Sequence, residues 1–536
     1  MKKNTYKTIR RSPLTIPRWP FAVGRLFLAL LLLTGMTGCL KETFPKDHSA
    51  LGKEIAKASP AYLAAGIDAW MISHAVGSWG DRHYDFGYPS IMIMTEMEGQ
   101  DLAPVNRYNT FGSFYTVQNL GPDYATVQVP WLFFTRLLKL ANISISTLEG
   151  ANAGAEETVV RAQAYAYRAF AYFQMAQLYQ YTYKGHEEAP AVPVVPENMT
   201  IEQARNNPRA TVETVYRQIL SDLATAEKLM TGLPYSRPSA AKINLNVIQA
   251  LLARVYLVMH EFDKAQQYAA LAKTGFRPLT EAQYFDDATG FNDLTAQQSW
   301  IWGLDVTVDD DCTKTGIINF PGQMCNTYRA GYAGAGNIKM IDAALYHSIP
   351  DADWRKDTWL AADTAIVPSY RLPKYSSLKF KPYAGNMNNS RQACDIPLIR
   401  MEEMMLIEAE AAARGSAGLE AGKKLLDDFL SLRTRSGQSQ QSQAASLDDF
   451  INEIWQQRRI EFWGEGIAFF DIKRLEKGIT RSYPGTNHQV GARYNTDTTP
   501  YWMNLCIVRS ETNTNQGIPP EMNNPSPQKP ADRAPL

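Results

Sequence analysis

Apolar residues recur at three- and four-residue steps through several long segments of this 536-residue chain, the period of amphipathic helices. The clearest segment is 161–180. There Tyr165, Ala169, Tyr172, Ala176 and Tyr179 form one stripe, and Ala162, Ala166, Phe170 and Phe173 form the adjoining one. Small residues alternating with rings let a neighbouring helix approach closely while the rings fill the gaps, so both stripes read as core. The same period predicts helices from Pro60 onward, around 91–98, from Pro130 and Trp131 to about 148, and at 211–230, 243–260 and 262–275. It returns at 395–415, 419–437 and 447–475. Segments 243–260 and 262–275 are joined by almost nothing and are therefore antiparallel neighbours.

Two stretches lack a sustained period: about 77–126, rich in glycine and aromatic residues, and about 276–394. Within the second, 300–308 suggests a strand, 327–340 a glycine-rich loop and 338–349 a helix-like run. A polar linker, 436–446, separates the last two helical segments. Beyond Thr512 the chain is rich in Asn and Pro and either lies over the surface or is disordered. The pattern predicts a mainly α fold of degenerate tetratricopeptide-like helix pairs, with Ala253, Tyr256 and residues 263–265 placed as at the helix crossing of such a unit. Helical repeats at about 127–275 and 395–477 would then carry the two loop-rich insertions.

The N-terminus has a different pattern. Lys2, Lys3, Lys7, Arg10, Arg11, Arg18 and Arg25 precede an apolar run at 26–33, too short to cross a bilayer, which needs roughly 20 residues. This is the layout of a secretory signal. The small residues before Cys39 make the end of that segment similar to a bacterial lipobox. The similarity implies cleavage after residue 38, with acyl chains, palmitate among them, on the thiol and new amine of Cys39. An ordinary signal peptide with an incidental cysteine is the alternative. Residues 39–57 then form an acylated flexible tether, and 58–536 the folded domain. Lys41 and Glu42 after Leu40 are similar to a signal that sends Bacteroidetes-type lipoproteins to the outer face of the outer membrane.

Composition narrows the partners. Lys+Arg and Asp+Glu are both 54, so no net field attracts nucleic acid or an anionic membrane surface. The 11 Trp, 27 Tyr and 21 Phe fall in part within Gly-, Asn- and Asp-rich stretches, where they suit a surface that grips hydroxyl-rich or peptide ligands. Cys312, Cys325, Cys394 and Cys506 form no C-x-x-C pair; Cys312 and Cys325 flank one segment and either pair or stay free. No H-E-x-x-H, G-x-S-x-G, Walker loop or G-x-G-x-x-G occurs, and Gly334-Ala335-Gly336 reads as a turn. Asp309, Asp310 and Asp311 lack EF-hand spacing. No catalytic, metal or cofactor residue is assigned. A glycan hydrolase stays as the competing class, because paired carboxylates need no local motif. The candidate ligand-binding residues are Trp79, Asp81, Arg82, Tyr84, Asp85 and Tyr88 in the first insertion, and Tyr328, Arg329 and Tyr332 in the second.

These pieces together resemble the SusD/RagB family of outer-membrane nutrient-binding lipoproteins. Trp131 with Ala141-Asn142, Arg161-Ala162 through Tyr179, Val215-Tyr216 through Asp222-Leu223, and residues 253–257 match its helices. Residues 397–400 through Ala409-Glu410-Ala411 resemble its "PLIR…AEA" block. Arg458-Arg459-Ile460-Glu461, Glu465-Gly466 and residues 470–474 resemble "RR-x-E…EGxR-x-x-DLkR", and Ile518-Pro519 with Asn524-Pro525 the closing "IPxxE…NP". Ala468 departs from the family's usual arginine. The resemblance implies about four helical repeats supporting a loop-rich binding face. It implies a SusC-like TonB-dependent transporter as partner, and a glycan, or a peptide or other glycoconjugate, as ligand. The location it implies is the outer membrane, lipid-anchored and facing outward. Charges among aromatic helices are expensive to bury unless paired, so Arg458, Glu461 and Asp471 are expected to tie helices together rather than catalyse.

Overall fold

The computed structural model describes residues 59–74, 82–149, 154–314, 317–381 and 393–531. The expected signal segment 1–38, Cys39, the tether 39–57, Trp79 and Asp81 lie outside them.

In chain order, α1 (Pro60–Met71), α2 (Tyr88–Glu98) and strand β1 (Leu102–Pro104) precede the long helices α3 (Ala125–Thr147) and α4 (Ala155–Tyr179). Helices α5 (Val212–Met230), α6 (Leu245–Val258) and α7 (Phe262–Ala272) follow. The second insertion contributes strands β2 (Trp300–Leu304), β3 (Lys339–Ile341), β4 (Thr364–Val367) and β5 (Tyr370–Leu372). The chain closes with β6 (Ile396–Arg400), α8 (Met401–Arg414), α9 (Leu419–Ser431), α10 (Leu447–Glu461) and α11 (Ala468–Arg474).

The striped helix is α4, buried on both stripes except at half-buried Tyr165, because α3 and α5 pack against it and α1 closes another side. Helix α6 pairs with α7, α7 packs on α8, and α8 on α9 and α10, so helix hairpins stack side by side as in tetratricopeptide-like arrays. Local chemistry fixes the starts. Thr211 accepts the Thr214 N–H at 3.2 Å before α5, Asn244 accepts that of Val247 at 3.2 Å before α6, and Ser446 forms a capping box with Asp449 before α10.

Four boundaries differ from the periodic reading. Helix α3 starts at Ala125, not Pro130. Burial of Val127 and Val129 carries the helix back past the proline, which lacks an N–H to donate to the preceding turn. The segment 395–415 is not all helix: residues 396–400 are strand β6, antiparallel to β2 with Trp300 opposite Arg400 and Leu304 opposite Ile396. All five residues of each strand are buried, so no alternation marks them. The segment 447–475 is broken between α10 and α11 at Gly464 and Gly466, both left-handed (φ 79° and 75°); a Cβ on Gly466 would come within 2.9 Å of the Met92 backbone. The helix-like run 338–349 splits into β3 and a short helix, Ala343–Ser348.

The charges of the C-terminal blocks lie inside this scaffold. Glu461 is fully buried and receives Arg355 at 3.0 Å, Arg400 at 3.0 Å and Arg433 at 2.9 Å. Burial alone would raise its carboxyl; the guanidinium groups of Arg433, Arg400 and Arg355 overcome that and hold it well below the usual carboxylate range. Arg458 pairs with Asp471 at 2.7 Å, and Arg474 joins Asp471 at 2.7 Å and Glu410 at 2.6 Å, linking α8, α10 and α11. Cys312, Cys325, Cys394 and Cys506 are free and buried. The final segment is tied down rather than loose. Ile518 is buried, Asn515 bonds Asn207, and Asn524 donates to the carbonyls of Tyr179 and Leu505. No helix among the described residues is long and apolar enough to cross a membrane.

Candidate functional site

The two insertions meet in a short ribbon. Strand β1 pairs antiparallel with β3, Leu102 opposite Ile341 and Pro104 opposite Lys339. The Val105 N–H donates to Ile338 at 3.0 Å, and Asn106 reaches Asn337 at 3.5 Å across the open end. Around this tip the side chains are held from below. Asn326 accepts the Lys339 N–H at 2.8 Å and donates to the carbonyls of Lys339 and Ser377, fixing the ribbon to the 377 segment. The Lys339 ammonium donates to the Asn337 carbonyl at 2.7 Å; burial pushes that ammonium down to about 7.

One flank of the tip carries candidates from both insertions. The Tyr332 hydroxyl is bonded to His83 Nδ1, with the two rings 5.5 Å apart. The Tyr332 carbonyl accepts the Asn337 N–H at 2.9 Å, which fastens this flank to the tip. Gly334 lets the loop fold on itself: a Cβ there would meet the Tyr328 carbonyl oxygen at 2.2 Å. Arg82 and Arg329 are exposed and Tyr84 is half-buried. Burial raises the Tyr84 phenol against the opposing charge of Arg82. The Arg329 guanidinium lies 5.5 Å from the Tyr370 ring, whose hydroxyl donates to Asn326 at 2.8 Å.

The other flank carries a ring that sequence reasoning missed. Tyr108 is 77% exposed, the most exposed large hydrophobic side chain among the described residues. It is nonetheless held in place. Its N–H donates to Asn106 at 2.9 Å, and Arg107 donates to its hydroxyl at 2.7 Å and to the Val490 carbonyl at 2.7 Å. Asn106, Arg107 and Asn109 form a polar frame around one tyrosine, and that pattern is the only sequence signal of its role.

Three candidates do not belong to this face. The Tyr88 ring packs 5.1 Å from Phe170 and 6.1 Å from Phe133, making it core between α2, α3 and α4. Asp85 and Tyr328 are fully buried, Asp85 in the turn that leads into α2 and Tyr328 under the glycine-rich loop. The glycine beside Tyr88 serves close packing: a Cβ on Gly87 would meet the Met71 carbonyl oxygen at 2.5 Å.

Residues 365–535 match the profile of the SusD family, and residues 93–257 match a family described as starch-binding and associating with outer membrane. The SusD-like protein P2 of Formosa agariphila is 25% identical over 491 residues, 84% of this chain and 90% of that protein. The chain belongs to the SusD/RagB family. The fold of this SusD-family protein agrees with solved relatives. A SusD-like carbohydrate binding protein from Bacteroides vulgatus superposes with a TM-score of 0.72 at 23% identity, covering 85% of this chain and 96% of its own. A SusD superfamily protein from Bacteroides thetaiotaomicron superposes at 0.69 and 21%, covering 87% and 99%. Tetratricopeptide-like helical repeats under a loop-built face are therefore the architecture of this SusD-family chain. Neither family description names a reaction.

Proposed function

We propose that this SusD-family protein is a lipid-anchored binding protein of the outer membrane. It captures an oligosaccharide at the ribbon tip without covalent chemistry and passes it to a SusC-like TonB-dependent transporter. The observation that carries the reading is the pair of immobilised tyrosines, Tyr108 and Tyr332, flanking the amides of Asn106 and Asn337. A ring fixed by hydrogen bonds loses little conformational freedom when a sugar C–H face settles on it, and the amides are placed to bond hydroxyls. The family description of starch binding and outer-membrane association supports the ligand class and the location. Handover favours modest affinity, about −8 to −4 kcal/mol, or micromolar to millimolar Kd.

The test is electrophoresis of the full chain in detergent through gels containing amylopectin, laminarin, galactomannan or arabinoxylan. Retention by at least one, with no shortened products after incubation, is expected. Shortened products would make the protein a hydrolase, and binding of peptides alone would replace the ligand class. Copurification with a TonB-dependent transporter from membranes tests the delivery step.

A further inference from the structure

We propose that the saccharide taken at the ribbon tip is acidic, carrying carboxylate or sulfate groups that arginines around Tyr108 and Tyr332 select. This deepens the proposed function and rests on the tip being a glycan site. The segments that build the tip, residues 102–112, 326–338 and 484–493, contain no Asp or Glu. Their Lys and Arg side chains are Arg107, Arg329 and Arg493. Their one histidine, His488, is buried, and burial lowers its tendency to take a proton. On the Tyr332 flank Arg82 is exposed beside His83, whereas Asp85, three residues on, is fully buried. The face is therefore positive, although residues 58–536 as a whole carry more Asp and Glu than Lys and Arg.

None of these arginines meets a carboxylate among the described residues. Arg107 is bound to neutral oxygens, the Tyr108 hydroxyl and the Val490 carbonyl, both at 2.7 Å. Arg493 donates to the His488 carbonyl at 2.8 Å, and exposed Arg329 lies over the Tyr370 ring. Arg509, on another surface, is by contrast paired with Asp123 at 2.9 Å. The β4–β5 hairpin that carries Tyr370 does not supply the missing acid. Against its one carboxylate, Asp363, it sets Arg371 and Lys374. A lone exposed cation in water needs no partner. Several gathered around two fixed rings, with no acid between them, make a local potential that draws an anion. The planar fork of arginine meets the oxygens of a carboxylate or sulfate with two parallel N–H···O bonds, which a neutral hydroxyl does not offer. The rings take the C–H face of the sugar while the guanidinium groups beside them take its acid substituents.

The full chain in detergent is run through gels containing the four polysaccharides above and two matched pairs: polygalacturonate with its methyl ester, and carrageenan with its desulfated form. At least one acidic member should retain the wild type more strongly than its uncharged match and than the four neutral polysaccharides, and added salt should weaken that retention. A response in the first pair assigns carboxylate and in the second sulfate; either supports the proposal. Arg82→Gln and Arg329→Gln should each weaken acidic retention by about fivefold and change retention by the uncharged match less. Equal retention by acidic and uncharged members, or wild-type retention in both arginine variants, with Tyr108→Ala and Tyr332→Ala still weakening it, would overturn the charge selection and leave the tip. Equal retention by polyglutamate would reduce the effect to charge alone and overturn the assignment. Acidic retention lost in both arginine variants but kept in both tyrosine variants would support the charge selection and overturn the tyrosine grip. Retention of the wild type by no polysaccharide would overturn both.

Discussion

Glu96 is a carboxyl buried without a cation. It accepts the Gly466 N–H at 2.8 Å, and its other oxygen has no partner among the described residues. Burial, helped by the negative charge of Asp101, raises it to about 8. Because the folded value lies above the unfolded one, near 4.5, the neutral carboxyl contributes stability that is full below the unfolded value. That contribution is lost as pH rises through about 8. Glu96→Gln should therefore flatten part of this dependence: between about pH 5 and pH 9 the wild-type melting temperature should fall relative to the variant. Parallel curves would mean Glu96 is ionised or solvated in the fold. Glu461 is the opposite case, a carboxylate with three arginines. Glu461→Gln leaves buried cations uncompensated and should cost about 3–5 kcal/mol in denaturant titrations. A loss near zero would mean the arginines re-pair. At this scale the sequence is informative about Glu461, since a charged block in an aromatic helix must be paired. It is silent about Glu96, whose burial and bond to Gly466, 370 positions away, are set by the tertiary fold.

Among the elements, the tip depends on a loop with no room to spare. Gly334→Ala would press a methyl against the Tyr328 carbonyl, so the loop 328–337 should open while the helices stay closed. Hydrogen exchange should then accelerate at Ala335 and Asn337 and remain slow in α4; unchanged exchange at the loop would show that the backbone accommodates the methyl. The contrast between loop and helix also explains what could be read from the chain alone. Helices α4 to α10 were legible because a 3.6-residue period persists over many residues. The ribbon was not, because β1 and β3 have three residues each and pair across more than 200 positions. Strand β6 was absorbed into a helix because residues 396–400 are buried on both faces and show no alternation. The same limit applies to the candidate site. Tyr332 and Tyr88 both stand beside glycines in the sequence, yet tertiary packing leaves one half-buried and puts the other in the core.

For the whole molecule, residues 58–536 carry more Asp and Glu than Lys and Arg, so net charge does not draw the folded domain to an anionic membrane, and location falls to the anchor inferred at Cys39. Cys39→Ala should yield a folded protein that still binds glycan and no longer sediments with outer membranes. Continued sedimentation would make the transporter interface the main tether. The tetratricopeptide-like array supplies a rigid base joined by buried ion pairs, and the loops it carries are free to differ in what they bind. Calorimetric titration of the full chain with an oligosaccharide of the retained polysaccharide tests capture at the ribbon tip most directly. Tyr108→Ala and Tyr332→Ala should each weaken binding by about 1 kcal/mol or more, roughly fivefold, with melting temperature unchanged. Wild-type affinity in both variants would place the ligand elsewhere and contradict the assignment of this face.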